Sequence, residues 1–145
     1  MNKNGFSLIE LVVAVAIIGI LTAIAIPSYS AYARRANRTD AVRTMTADAQ
    51  ALERCYSKQF TYTSPQCTVT AGAGPSQQSY YTVTITVNPA VPNVSAANYS
   101  ISAVPLTSPQ TSDTTCTLFT LDNAGKQFAH DSGNIDTTKT CWGSI

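Results

Sequence analysis

Between Leu11 and Ile26 lie sixteen residues of which Thr22 alone is polar, and no other stretch of the chain approaches that density. A surface so uniformly apolar has to be covered by lipid or by other protein. Counted from Phe6 to Ile26 the segment is 21 residues. As a helix it measures about 31 Å, close to the hydrocarbon thickness of a bilayer. A plain N-terminal anchor is the simplest use of such a segment. The order of its flanks argues for something more specific. A secretory signal runs basic, then apolar, then small at the cleavage site. Here Lys3 and Gly5 come before the apolar run, and Pro27-Ser28-Tyr29 follow it in place of a small-residue site. Cleavage therefore belongs ahead of the run, leaving the hydrophobic segment on the mature chain.

Glu10 stands within this segment. A carboxylate in a membrane helix costs on the order of 3 kcal/mol on insertion scales, which marks it as a functional residue. It lies one helical turn from Phe6 on the same face. Cutting after Gly5 would create an ammonium group at Phe6, the natural opposite charge. Within one chain the two can pair only by distorting the first turn. Between neighbouring chains, the carboxylate of one can meet the amine of another and both charges are neutralised.

The rest of the chain is different in kind. Only 12% of the 145 residues are charged, and Ser, Thr, Asn, Gln and Tyr are abundant. That suits an exported or assembled protein. Removing residues 1–5 would leave eight basic and eight acidic side chains, so no global basic field points to nucleic acid. Cys55, Cys67, Cys116 and Cys141 form no CxxC pair, and the single histidine, His130, falls short of a zinc set. An even count after an export-type segment reads as two disulfides made outside the cytoplasm. Three pairings are possible. Neighbour pairing, Cys55 with Cys67 and Cys116 with Cys141, is expected because both loops are short and turn-rich. Each bond would stabilise the fold by roughly 3 kcal/mol in the chain-entropy account.

Helical periodicity resumes beyond Pro27, which lacks an N–H for the carbonyl of Ala23 and should bend the helix without ending it. Gly19 is a second weak point. Val42, Met45, Ala49, Leu52 and Tyr56 recur at spacings of three and four, a stripe that has to bury against something. The helix is expected over about residues 6–57. Alternation at Tyr81, Val83, Ile85 and Val87 predicts a strand over 79–88, and Tyr99, Ile101 and Ala103 predict another ending at Pro105. Thr117–Leu121 and Gln127–Ala129 flank Asn123-Ala124-Gly125 as a hairpin. Residues 65–78, rich in Gly, Ser, Thr and Gln, read as a loop. The sum is an α+β fold, one long helix against a four-stranded antiparallel sheet.

Gly5-Phe6-Ser7-Leu8-Ile9-Glu10-Leu11, the apolar run and Pro27 together resemble the class III signal of type IV pilins and of type II secretion pseudopilins. A second resemblance, to minor pilins of the PilE type, runs through Glu53-Arg54-Cys55-Tyr56 and Phe60-Thr61-Tyr62-Thr63. It continues at Cys116, Asp122-Asn123-Ala124-Gly125 and Cys141-Trp142. The resemblance implies a leader at residues 1–5, a transmembrane and filament-core helix at 6–30 and a periplasmic head at 31–145. It also implies cleavage between Gly5 and Phe6 by a prepilin peptidase that N-methylates Phe6, with Phe6 and Glu10 as assembly residues and Gly19 to Pro27 as the stretch that unwinds on assembly. The implied partners are other pilin subunits, the inner membrane and its pilus assembly machinery. The implied function is a structural subunit, a minor pilin, of a filament used for motility, adhesion or DNA uptake. A secretion pseudopilin or a head acting as adhesin or DNA receptor is the alternative. The location would be the inner membrane with the N-terminus cytoplasmic, then the extracellular pilus.

No cofactor, metal or catalytic residue is expected. His130 with Asp131 has no nucleophile elbow or triad pattern. Asp131-Ser132-Gly133-Asn134-Ile135-Asp136 has calcium-like oxygens but not the EF-hand spacing, and reads as a solvated turn. Arg34, Arg35 and Arg38 follow the apolar run against the positive-inside tendency, and are expected on a solvated or headgroup-facing side, with DNA as the other ligand weighed. Three N-glycosylation sequons, at Asn37, Asn93 and Asn98, read as chance matches in a bacterial chain. Mass spectrometry of the membrane-extracted chain should find an N-terminal N-methyl Phe6. An intact Met1–Gly5 segment in cells holding the peptidase would contradict the processing scheme.

Overall fold

The structure, a computed structural model, describes residues 7–88 and 98–143. Two compact units divide the chain, Met1–Ala33 and Arg34–Ile145. Helix α1 is Leu8–Gln59. There follow β1 Gly72–Pro75, β2 Tyr81–Asn88, β3 Asn98–Pro105, a 3-10 turn Gln110–Ser112, β4 Leu118–Asp122, β5 Gln127–His130 and α2 Thr138–Trp142. The expected helix at 6–57 appears as α1, shifted slightly toward the C-terminus.

Within the second unit, the stripe on α1 buries as its spacing demands. Met45 and Leu52 are wholly buried, while Val42, Ala49 and Tyr56 pack at the margin. The strands form one antiparallel meander in the order β1-β2-β3-β4-β5. Its register lines up two rows on the inner face. One runs Gly74, Val83, Ala103, Phe119, Ala129 and the other Gly72, Ile85, Ile101, Leu121, Gln127. In the first row, each large residue faces a small one across the ladder, which lets facing side chains interdigitate. Tyr81 and Trp142 each meet the Phe119 ring edge-on, at centroid distances of 5.7 and 5.9 Å.

The sheet has five strands where the alternation predicted four. The missed strand, β1, lies in the stretch read as loop. Its residues Gly72-Ala73-Gly74-Pro75 have no apolar alternation and little β-propensity. It pairs only as an edge to β2. Gly72 has φ +146°, a backbone region that side chains disfavour. Helix α2 has five residues, too few for a periodic signal in the sequence.

Cys55 is bonded to Cys67 and Cys116 to Cys141, closing separations of 12 and 25 residues. Each ties a helix to the loop or strand region beside it. The first joins the end of α1 to the connection leading to β1. The second anchors α2 beside β4, and Trp142 Nε1 then donates to the Phe128 carbonyl at 2.9 Å.

Two buried polar clusters on α1 hold loops. Arg38 donates through Nε and a terminal nitrogen to both oxygens of Asp113, at 2.7 and 2.9 Å. Both side chains are almost completely buried. This corrects the sequence reading, which set Arg38 beside Arg34 and Arg35 on a solvated face. Asp113 lies 75 residues away, so no local pattern announces the pair. Removing one partner of such a pair costs about 3–5 kcal/mol, because the other charge stays buried. Two residues along α1, the buried Asp40 accepts from Ser76 Oγ and from the amides of Gln78 and Tyr80. Thr44 Oγ1 accepts the Gln77 amide. The β1–β2 turn, with Ser79 at φ 60°, is thereby fixed to the helix by its own backbone donors.

Beside the first cluster, Gln110 Nε2 donates to the Tyr81 phenol oxygen at 2.6 Å and to the Arg34 carbonyl at 3.1 Å. Burial pushes the Tyr81 phenol up to about 12 from an ordinary 10.0, opposed by the Gln110 hydrogen bond. The folded state thus holds this proton more tightly than the unfolded chain. Its contribution to stability is complete below pH 10 and is lost as pH rises toward 12. Denaturation midpoints should accordingly fall across that window, and Tyr81→Phe should flatten the fall. An unchanged slope in the Phe variant would assign the alkaline loss to other groups.

Candidate assembly helix

The first unit contains α1 residues 8–33. Leu8, Ile9, Leu11, Val12, Ile17, Ile20, Ile24 and Ile26 are all more than half exposed. This is the one helix among the described residues long and apolar enough to cross a membrane. The polar exception within it is internally satisfied. Thr22 Oγ1 donates to the carbonyls of Ile18 and Gly19 at 2.9 and 3.1 Å, so the hydroxyl needs no partner from lipid. Helical assignment continues through both Gly19 and Pro27. Ser30 Oγ donates to the Pro27 carbonyl at 2.9 Å.

Gly5 and Phe6, the expected processing residues, lie outside the described residues. Glu10 is described and exposed. Its amide and that of Leu11 both point to the Ser7 carbonyl, at 3.1 and 3.2 Å. Ser7 therefore occupies the N-cap position of α1, and Glu10 is the third helical residue. Ser7-Leu8-Ile9-Glu10 has the spacing of a capping box, in which the acidic residue serves the free amides and positive end of the helix. Among the described residues neither the Ser7 hydroxyl nor the Glu10 carboxylate makes a hydrogen bond, so what Glu10 offers the helix start is its charge at the positive end.

In the head, the expected calcium-like loop spends its oxygens on its own backbone. Asp131 Oδ1 accepts the amides of Gly133 and Ile135, and Asp136 accepts that of Thr138. No group of three metal-ligating side chains occurs among the described residues. Of the three arginines after the apolar run, Arg35 is exposed and Arg34 partly so, while Arg38 is buried. Further along α1, Arg43, Arg54 and Lys58 are exposed. Glu53 accepts the Tyr62 phenol at 3.1 Å. Tyr62 stacks on Tyr56 and meets Tyr99 edge-on. Tyr56 and Tyr62, from the two stretches of the second resemblance, thus join Tyr99 in an aromatic cluster at the end of α1.

Comparison with known proteins agrees with these features. A prokaryotic N-terminal methylation motif matches residues 1–26. The family described as type IV minor pilin ComP, DNA uptake sequence receptor, matches residues 27–120. Prepilin peptidase-dependent protein D of Escherichia coli (strain K12) is 47% identical over 54 residues, 37% of each chain. Fimbrial protein EcpC of Eikenella corrodens is 33% identical over 91 residues, 63% of this chain and 58% of that one. A fimbrial protein of Pseudomonas aeruginosa is 53% identical over 51 residues, 35% of this chain and 33% of the relative. The chain thus spans between about a third and three fifths of the length of these curated relatives. With an exposed apolar helix that opens on Ser7 and Glu10, and a helix-on-meander head stapled by two disulfides, the chain belongs to the type IV minor pilin ComP family.

Proposed function

We propose that the chain is a minor subunit of a type IV pilus. It is held in the inner membrane by residues 6–30 with its N-terminus cytoplasmic, cut before Phe6 and methylated there by prepilin peptidase. The assembly machinery then transfers it into a filament among other pilin subunits. The observation that carries this reading is the fully exposed apolar surface of α1, which needs a bilayer before assembly and other helices after it. Glu10 sets the register by meeting the Phe6 amine of a neighbour.

Glu10→Gln removes the charge and keeps the shape. Glutamine has a similar helix propensity, so membrane level, cleavage and head folding should be retained. Incorporation into sheared pili should fall by about tenfold or more, since the neighbour's amine would be buried unpaired. Normal incorporation of the Gln variant would leave apolar packing alone to set the register.

A finer reading follows from the family that matches residues 27–120, whose description is that of a DNA uptake sequence receptor. The head then presents DNA-binding side chains at the filament surface. With Arg38 withdrawn into its ion pair, the exposed cations Arg43, Arg54, Lys58, Lys126 and Lys139 are the phosphate contacts on offer. Few such contacts imply a shallow salt dependence. Deleting the chain should lower DNA uptake with pili still present. Uptake at the wild-type level would remove the receptor role and leave the structural one.

A further inference from the structure

The two inner rows of the sheet end unequally. At β5 they finish in Ala129 and Gln127, and α2 covers the strand's far side. The Thr137 amide reaches the Ala129 carbonyl, and Thr138 Oγ1 accepts the Ala129 amide. At β1 they finish in Gly74 and Gly72, paired with Val83 and Ile85. Residues directly opposite in an antiparallel pair share a face, so both glycines lie on the side turned toward α1. The apolar layer stops one strand short. A Cβ built at Gly74 would meet nothing within 4 Å. The space left is a groove of about 330 Å³ between β1 and α1, with Val83 and Ile85 as its apolar wall and Thr44 and Asp48 on the helix side.

Asp48 is half-buried and has no hydrogen-bond or ion-pair partner among the described residues. Burial raises its carboxyl above the usual range. A mainly polar groove with a short apolar strip at Val83 and Ile85 and one unmatched carboxylate has the chemistry to take a long basic side chain, whose stem is apolar and whose head is charged. The chain offers the counterpart charges without using them internally. Its single described ion pair is Arg38 with Asp113, leaving Arg35, Arg43, Arg54 and Lys58 exposed along α1. Charge complementarity therefore points to a basic side chain brought from outside the chain.

We propose that this groove receives a lysine or arginine side chain from a neighbouring pilin subunit. The stem lies over Gly72 and Gly74 against Val83 and Ile85, and the cation meets Asp48. The inference rests on the filament-subunit reading above.

Two substitutions test it in the full chain, in cells that make pili. Asp48→Asn keeps the shape and removes the charge. Gly74→Leu keeps the charge and fills the space from a position where the backbone and surroundings admit a side chain. Each should leave the membrane level and thermal stability of the chain unchanged while lowering its amount in sheared filaments about tenfold, the loss of one charged contact. In an otherwise wild-type chain, a photo-crosslinking residue at Thr70, on the groove's rim, should give filament adducts to a pilin peptide containing lysine or arginine. Undiminished incorporation of both variants, with wild type present in filaments, overturns the groove's role and leaves the subunit reading standing. Adducts only to a protein that is not a pilin overturn the proposed occupant. Absence of the wild-type chain from filaments overturns both readings.

Discussion

One helix has to satisfy two different surroundings, and the character of every other part follows from that. Residues 11–26 of α1, Thr22 apart, are apolar on all sides and exposed on all sides. From residue 34 on, the same helix is striped, with Met45 and Leu52 inside and Arg43, Arg54 and Lys58 outside. A helix that is hydrophobic all round must be buried by something other than its own chain. Stability of the head therefore has to come from the striped half, its sheet and two covalent ties, with no help from the longest apolar surface in the molecule.

The head answers with few charges, and most of its carboxylates are placed where they organise backbone. Asp40, Asp122 and Asp131 each accept at least two backbone amides of a nearby turn. Arg38 and Asp113 cross-brace α1 to the segment before β4. With turns held by their own carboxylates, the remaining loop surface is left to Ser, Thr, Asn and Gln, whose side chains carry no fixed charge. Asp48 stands out against this economy. It is half-buried and has no hydrogen-bond or ion-pair partner among the described residues.

What could be read from the sequence was whatever repeats at short range. The apolar run, the stripe on α1 and the alternation in β2 and β3 are local periodicities, and each appears within two or three residues of its expected bounds. The inverted order of Lys3, Gly5 and the apolar run falls in the segment that the N-terminal methylation motif matches; Gly5 and Phe6 themselves lie outside the described residues. What escaped was either long-range or without a period. Arg38 resembles its exposed neighbours Arg34 and Arg35 until a carboxylate 75 residues away is brought against it. Strand β1 is a strand because β2 offers it an edge; Gly72-Ala73-Gly74 has no preference of its own. The capping-box spacing of Ser7 and Glu10 was legible but hidden behind the more unusual fact of a carboxylate in an apolar segment.

The meander has a consequence for how the head is made. Every strand pairs with its predecessor in sequence, from β1 to β5, and the disulfides close separations of only 12 and 25 residues. Contacts so close in sequence need little loop-closure entropy, which favours rapid folding. A chain emerging from its N-terminus can therefore lay α1 down first, and from β2 onward each strand finds its first partner already made. Helix α2, with Trp142 and Cys141, closes the β5 edge. Before it docks, that edge is an open template for strand addition, so residues 137–142 shield the sheet from pairing with its neighbours.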